Sequence, residues 1–339
     1  MVMTPFQDLG QKHMNNRIFL YSSLFLVLIL LFDASSNNVS QPTASLQPNI
    51  PETSSVRNQK NIEPKQDIIK NSRAGSNKNI EVTTDTLKIN ISLDDGAITS
   101  SELLKYLKNF GSSSEKVKLL NNTKGSRYTA LANVQSRESD APTKYTSVKN
   151  KYSLENNNKL MVSIKGVSSG SAEVIKSYTF TRNSHLVEVQ QLVKNISNKK
   201  IEWRQYNTLS RGEETEGNVM LYTYTGAAYF DSEDKFNKID FSDIEDGSFQ
   251  KEVKTSWISM IQHYFFTAWL PANSASDEKT IYTRLLSEDN KNSYQIGSVD
   301  NYIALSPGES YSFDSKLYIG PKVQAEITDL APGLALTVD

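Results

Sequence analysis

Leu87-Lys88-Ile89-Asn90-Ile91-Ser92-Leu93-Asp94-Asp95-Gly96 decides the fold class. Every second residue from Leu87 to Leu93 is aliphatic and the residues between are polar, which is the period of a strand with one face in a core; Asp95-Gly96 then supplies a turn. The same period returns at Tyr178-Thr179-Phe180, at Val187, Val189 and Val193, and at Tyr311, Phe313, Leu317 and Ile319, with Asn183-Ser184 and Pro307-Gly308 as turn residues between them. The reading is a mainly β domain over residues 80–320. One stretch does not alternate: Trp257 to Pro271, WISMIQHYFFTAWLP, fits a buried helix or a buried strand by hydrophobicity alone. Its aromatic content assigns it to strand, and Pro271 ends it.

Beyond the strands the period lengthens. Gly320-Pro321 opens a segment in which Val323, Ile327 and Leu330 stand at i, i+4 and i+7, and Pro332-Gly333 closes it, predicting a short amphipathic helix over 321–331. The apolar residues from Leu334 to Val338 form the C-terminal end, 332–339.

Upstream, Asp33 to Asn79 is rich in Ser, Asn, Gln, Thr and Pro with no apolar period, so it buries too little surface to offset ordering entropy and reads as a flexible tether. Before it, Ile18 to Phe32 is free of charge, IFLYSSLFLVLILLF, with Lys12 and Arg17 ahead and Asp33 behind. At ~1.5 Å per residue it spans roughly 22 Å as a helix, against ~30 Å of hydrocarbon, so length alone fits both a signal peptide and an anchor. Ala34 and Ser36 make a poor cleavage site after Leu31-Phe32, which points to a retained anchor. The basic residues place the lead, 1–17, in the cytoplasm and the domain outside it. Within the lead, MNNRIFLYSSLF from Met14 already has a short polar-basic start, so Met14 is the expected initiator.

The totals exclude several classes. Among 339 residues 37% are hydrophobic and the net charge is −1, with a pI near 6.4; a nucleic-acid binder would carry a basic stripe. Cysteine is absent, which removes disulfides, thiolate metal sites and a thiol nucleophile. The three histidines, His13, His185 and His263, form neither HxxxH nor HExxH. Glu213, Glu214 and Glu216 lack the spacing of a calcium loop, Asp94-Asp95-Gly96 reads as turn chemistry, and the glycines form no phosphate cradle. The aromatics of Tyr222 to Phe230 and of Trp257 to Trp269 read as core packing rather than a ligand platform. No catalytic, cofactor-binding or metal residue is assigned, and no cofactor is expected.

Four segments carry a resemblance: Asp85 to Tyr106, Tyr224 to Phe241 (YTGAAYFDSEDKFNKIDF), Ser256 to Pro271 and Leu317 to Asp339 (LYIGPKVQAEITDLAPGLALTVD). In order and spacing they resemble the bacterial membrane protein insertase YidC family, the second and third being the most specific. The resemblance implies an inner-membrane protein with one N-terminal transmembrane helix, a periplasmic domain of β-supersandwich, galactose mutarotase-like type, and a short amphipathic helix leading to the membrane. It also implies insertion, folding and assembly of inner-membrane proteins with or without the Sec translocon. The implied partners are that translocon and its accessory subunits, nascent membrane proteins and the lipid bilayer. The insertase bundle of five membrane helices would lie beyond Asp339, so no groove residue is carried over. Two other readings stand beside it: a periplasmic binding or scaffold module acting without insertion, and an epimerase-like carbohydrate enzyme using His185 with Glu188. Alkaline carbonate extraction is expected to leave the protein in the membrane pellet; a soluble form beginning near Asn37 would identify 18–32 as a cleaved signal.

Overall fold

The computed structural model describes residues 79–338, apart from 109–114, 125, 140, 213–223, 255, 273–277 and 289–290. The anchor over 18–32, the tether up to residue 78, His13, the Glu213–Glu216 cluster and Tyr222 lie outside the described residues, and Asn79, read as the tether's last residue, opens the first strand.

Alternating stretches become strands where alternation is seen. In Leu87–Ser92 the side chains of Leu87, Ile89 and Ile91 are buried while Lys88 and Asn90 are partly exposed. Among the described residues there are twenty strands: β1 (Asn79–Thr83), β2 (Leu87–Ser92), β3 (Ile98–Leu107), β4 (Lys116–Leu120), β5 (Tyr128–Ser136), β6 (Lys144–Thr146), β7 (Lys151–Ser153), β8 (Lys159–Ser168), β9 (Ala172–Thr181) and β10 (Leu186–Asn195). They continue with β11 (Ile201–Gly212), β12 (Gly226–Asp231), β13 (Lys235–Ile239), β14 (Gln250–Lys254), β15 (Trp257–Ile261), β16 (Phe265–Pro271), β17 (Glu278–Glu288), β18 (Lys291–Asp300), β19 (Ile303–Leu305) and β20 (Ser310–Pro321). One sheet has eleven strands in the order β14-β17-β18-β11-β5-β3-β2-β1-β7, with β19 beside β11 and β4 beside β3. The other has nine, β13-β12-β15-β16-β20-β10-β9-β8-β6. Neighbours are antiparallel except β1 and β7.

The two sheets pack face to face. One hydrophobic cluster joins Leu87, Ile89, Val134, Trp203 and Ile296 of the larger sheet to Val162, Val174, Val189, Trp269 and Ile319 of the smaller. Polar side chains also cross this interface. The Trp269 indole donates to the Thr208 carbonyl at 3.0 Å, Tyr128 donates to the Met260 carbonyl at 3.2 Å, and Gln191 donates to Gln205 at 3.1 Å. Such bonds are directional where apolar contacts are not, so they fix how one sheet lies on the other.

Lys176 makes the deepest of these crossings. On β9 it occupies the inward register with Ala172, Val174, Tyr178 and Phe180, and it is fully buried. Its ammonium reaches the larger sheet where β3 and β5 pair through Ile98 and Ala130 alone. There it donates to the Gly96 carbonyl at 2.9 Å and to the Ala132 carbonyl, fastening the Asp95-Gly96 turn to β5. Gly96 holds φ +71°, and Asp95 accepts from the Ala97 amide at 2.9 Å. Burial, opposed by the Asp95 carboxylate, pulls the Lys176 ammonium from 10.5 down to about 7.

Between those values the unfolded chain holds one more proton than the folded chain. The cost of burying Lys176 is therefore full below pH 7 and is relieved as the pH rises toward 10.5. Chemical denaturation should show the wild type gaining stability relative to Lys176→Met from pH 7 upward. A stability difference independent of pH would mean that the lysine is charged or neutral throughout.

Candidate functional site

The stretch without alternation folds as a hairpin, β15 and β16, with the turn at Gln262–Tyr264. Its lack of alternation has a physical reason: this part of the smaller sheet is buried on both faces. Ile258, Met260 and Trp269 point toward the larger sheet, while Trp257, Ile261, Phe266, Ala268 and Leu270 belong to a second apolar cluster on the outer face. Tyr229 of β12 faces inward and Phe230 outward in the same way.

The C-terminal segment covers that outer face. Of residues 321–331, four are helical, Gln324–Ile327; the chain then runs to Pro332-Gly333 and ends in a 3-10 turn, Leu334–Val338. Ile327, Ala331 and Leu334 are buried in the outer cluster, with Leu330 and Val338 packed against it, whereas Val323 stays exposed. Burying a side chain of this size stabilises by about 1.5–3 kcal/mol. Polar and steric contacts set the register. The Trp257 indole donates to the Pro332 carbonyl at 2.8 Å, with its ring stacked on Phe230 at 5.9 Å. Gly333 holds φ +70° against the Phe230 ring, where a Cβ would overlap the ring carbons.

His185 closes the other end of the segment. Its Nδ1 lies 3.0 Å from the Glu326 carboxylate, and its ring sits 6.0 Å from Tyr106 and 6.2 Å from Tyr318. Nε2 is buried with no hydrogen-bond partner. Burial lowers the imidazole's pKa, opposed by the Glu326 hydrogen bond. The ring therefore favours the neutral form and acts as a packed, hydrogen-bonded post. Glu188, its nearest carboxylate in the sequence, is exposed on β10 in register with Lys316, so His185 meets Glu326 and not Glu188. His263 lies in the β15–β16 turn against Tyr264.

The outer face of the larger sheet is polar and largely self-paired. Arg204 donates to Gln135 at 3.1 Å, Gln295 to Ser210 at 2.8 Å, and Asn90 to Ser100 at 2.9 Å. The Tyr302 ring lies 4.4 Å from both the Arg137 and the Arg204 guanidinium. Among the described residues no group of three or more His, Asp or Glu could hold a metal ion, and no helix is long and apolar enough to cross a membrane.

Sequence reasoning did not single out Lys176 or Glu326, and it named Gly333 only as part of the dipeptide that closes the helix. A lysine in the inward register of an alternating strand was a readable signal. The pairing of Glu326 with a histidine 141 residues away was not.

Residues 79–339 match the family model described as the YidC periplasmic domain. The membrane protein insertase YidC of Legionella pneumophila (strain Lens) is 34% identical over 279 residues, covering 79% of this chain and 49% of that protein. That of Nitrosococcus oceani is 28% identical over 339 residues, covering 96% of this chain and 61% of that protein. The chain thus spans about half the length of the Legionella relative. Among solved structures, a galactose mutarotase related enzyme from Lactobacillus acidophilus superimposes with a TM-score of 0.47 at 9% identity, covering 71% of this chain and 97% of that one.

Replacing Gly333 by alanine forces a left-handed backbone onto a residue with a Cβ and drives that carbon into Phe230. The expected cost is about 2–4 kcal/mol. Limited proteolysis of the variant should cut within 324–338 before it cuts the strands. Wild-type stability and an uncut segment would show that the contact at Phe230 does not hold the segment down.

Proposed function

Because the chain belongs to the membrane protein insertase YidC family, we propose that it serves as the periplasmic part of an inner-membrane insertase that inserts, folds and assembles membrane proteins. In this reading residues 18–32 anchor it in the inner membrane with residues 1–17 in the cytoplasm, 33–79 are the tether, and the domain, of β-supersandwich type, works in the periplasm. Nascent membrane proteins and the lipid bilayer are its partners, together with the Sec translocon and its accessory subunits in the translocon-linked mode. Its role is that of an insertase module rather than a metabolic enzyme.

One observation carries the reading of this domain: the C-terminal segment, which in the family leads to the membrane, is built into the fold. Trp257, Phe230 and His185 hold it at three points, and its apolar side chains complete the outer face of the smaller sheet. A chain leaving such a segment departs from a fixed place on the domain. Position and orientation of the sandwich can then be passed to whatever follows. The same contacts argue against the epimerase-like reading, because His185 is occupied in holding the segment.

In a strain depleted of its own insertase, the complete native gene containing this chain is expected to restore membrane insertion of a client protein. If the product accumulates in the membrane and insertion is not restored, the insertase reading fails and a periplasmic scaffold role takes its place.

A further inference from the structure

The smaller sheet ends at an edge that is half closed. β6 covers the far part of β8, pairing Lys144 with Val167, Tyr145 with Gly166 and Thr146 with Lys165. It then leaves, and the nearer part of β8 runs on alone. The alternation of the ladder tells which backbone groups this leaves free. Arg182 donates to the Asn158 carbonyl, and each second residue from there along β8 bonds to β9. The amides and carbonyls of Lys159, Met161 and Ser163 therefore point away from β9, on the side where β6 would be, and no backbone group among the described residues meets them.

The charged side chains of β6 and β8 have one sign. Lys144, Lys149, Lys159 and Lys165 are exposed, and none lies within ion-pair distance of a carboxylate among the described residues. Lys151 does have a partner, Glu81, at 3.9 Å. In the same outward register as Lys159 and Lys165 stands Met161, 66% exposed. The edge thus offers alternating donors and acceptors over roughly 13 Å, an apolar contact and positive charge at both ends.

We propose that the β8 edge, Lys159 to Ser163, is a docking site for an extended peptide segment of a partner protein in which acidic residues alternate with apolar ones. The segment would add a strand to the smaller sheet beside β9's far neighbour, in line with β6. Backbone hydrogen bonds would supply the pairing, Met161 the apolar contact, and the lysines the selection for carboxylates. A second copy of this chain is a poor occupant, because its own lysines would face these across the new ladder. A lipid surface would use the charge but could not meet alternating amides and carbonyls.

The test uses the full 339-residue chain in detergent micelles and a short fluorescent peptide alternating glutamate and valine. Two further peptides serve as controls: the same peptide with its backbone nitrogens methylated, and one with lysine in place of glutamate. The acidic peptide is expected to bind and to slow hydrogen exchange at Lys159, Met161 and Ser163, while the methylated and lysine peptides do neither. Lys159→Glu combined with Lys165→Glu should weaken binding at least about tenfold without changing the melting temperature. Binding of the methylated peptide as tightly as the parent would overturn strand addition. So would phosphatidylglycerol vesicles that protect the same amides equally, or protection that arises from self-association in the absence of peptide. Absence of any protection by the acidic peptide would refute the site outright.

Discussion

A sheet that is apolar on both faces has to be covered on both, and β12, β15 and β16 impose that condition on everything around them. Their inward side chains need the larger sheet, and their outward ones, Trp257, Phe230, Ile261, Phe266 and Leu270, need a second layer. Among the described residues the C-terminal segment, not a strand, supplies that layer. Its helical part is four residues long, too short to be stable by itself, so the segment takes its order from the surface that it covers. Stability passes in both directions, since exposing that outer cluster to water would cost the hairpin its second face.

Inside the sandwich, apolar packing brings the sheets together and a few polar groups decide their relation. Trp269 to Thr208, Tyr128 to Met260 and Gln191 to Gln205 span the interface at fixed places. Lys176 is the costly member of this set, since desolvating an ammonium is unfavourable unless its donors are used. Two carbonyls, those of Gly96 and Ala132, receive them at the place where β3 and β5 part. A methionine would fill the volume but would take the ammonium from the Ala132 carbonyl and leave the Gly96 carbonyl with the Tyr178 hydroxyl alone, which explains why a lysine occupies an inward register there.

The sequence showed the β class because one-sided burial writes itself as alternation, and Leu87, Ile89 and Ile91 do point into the core. It was ambiguous over Trp257–Pro271 for the converse reason: burial on both faces erases the period, leaving composition to choose between helix and strand. The helical spacing of Val323, Ile327 and Leu330 located the segment and put all three on one apolar face; Ile327 is buried, but the helix itself covers four positions and Val323 remains exposed. What that segment covers was not legible, because the partner surface is assembled from strands far apart in the chain. The same holds for His185, whose sequence neighbour Glu188 was the obvious partner and whose actual partner comes from the far end of the domain.

The central claim is that the C-terminal segment and the hairpin beneath it are one cooperative unit. Native-state hydrogen exchange across a denaturant series measures this directly by giving an opening free energy for each amide. The account predicts that the amides of Ile327 and Leu334 open together with those of Met260 and Ala268, converging on the same global unfolding isotherm. An opening of 324–338 at much lower free energy, with β15 and β16 still protected, would contradict it and would make the segment a loosely held tail.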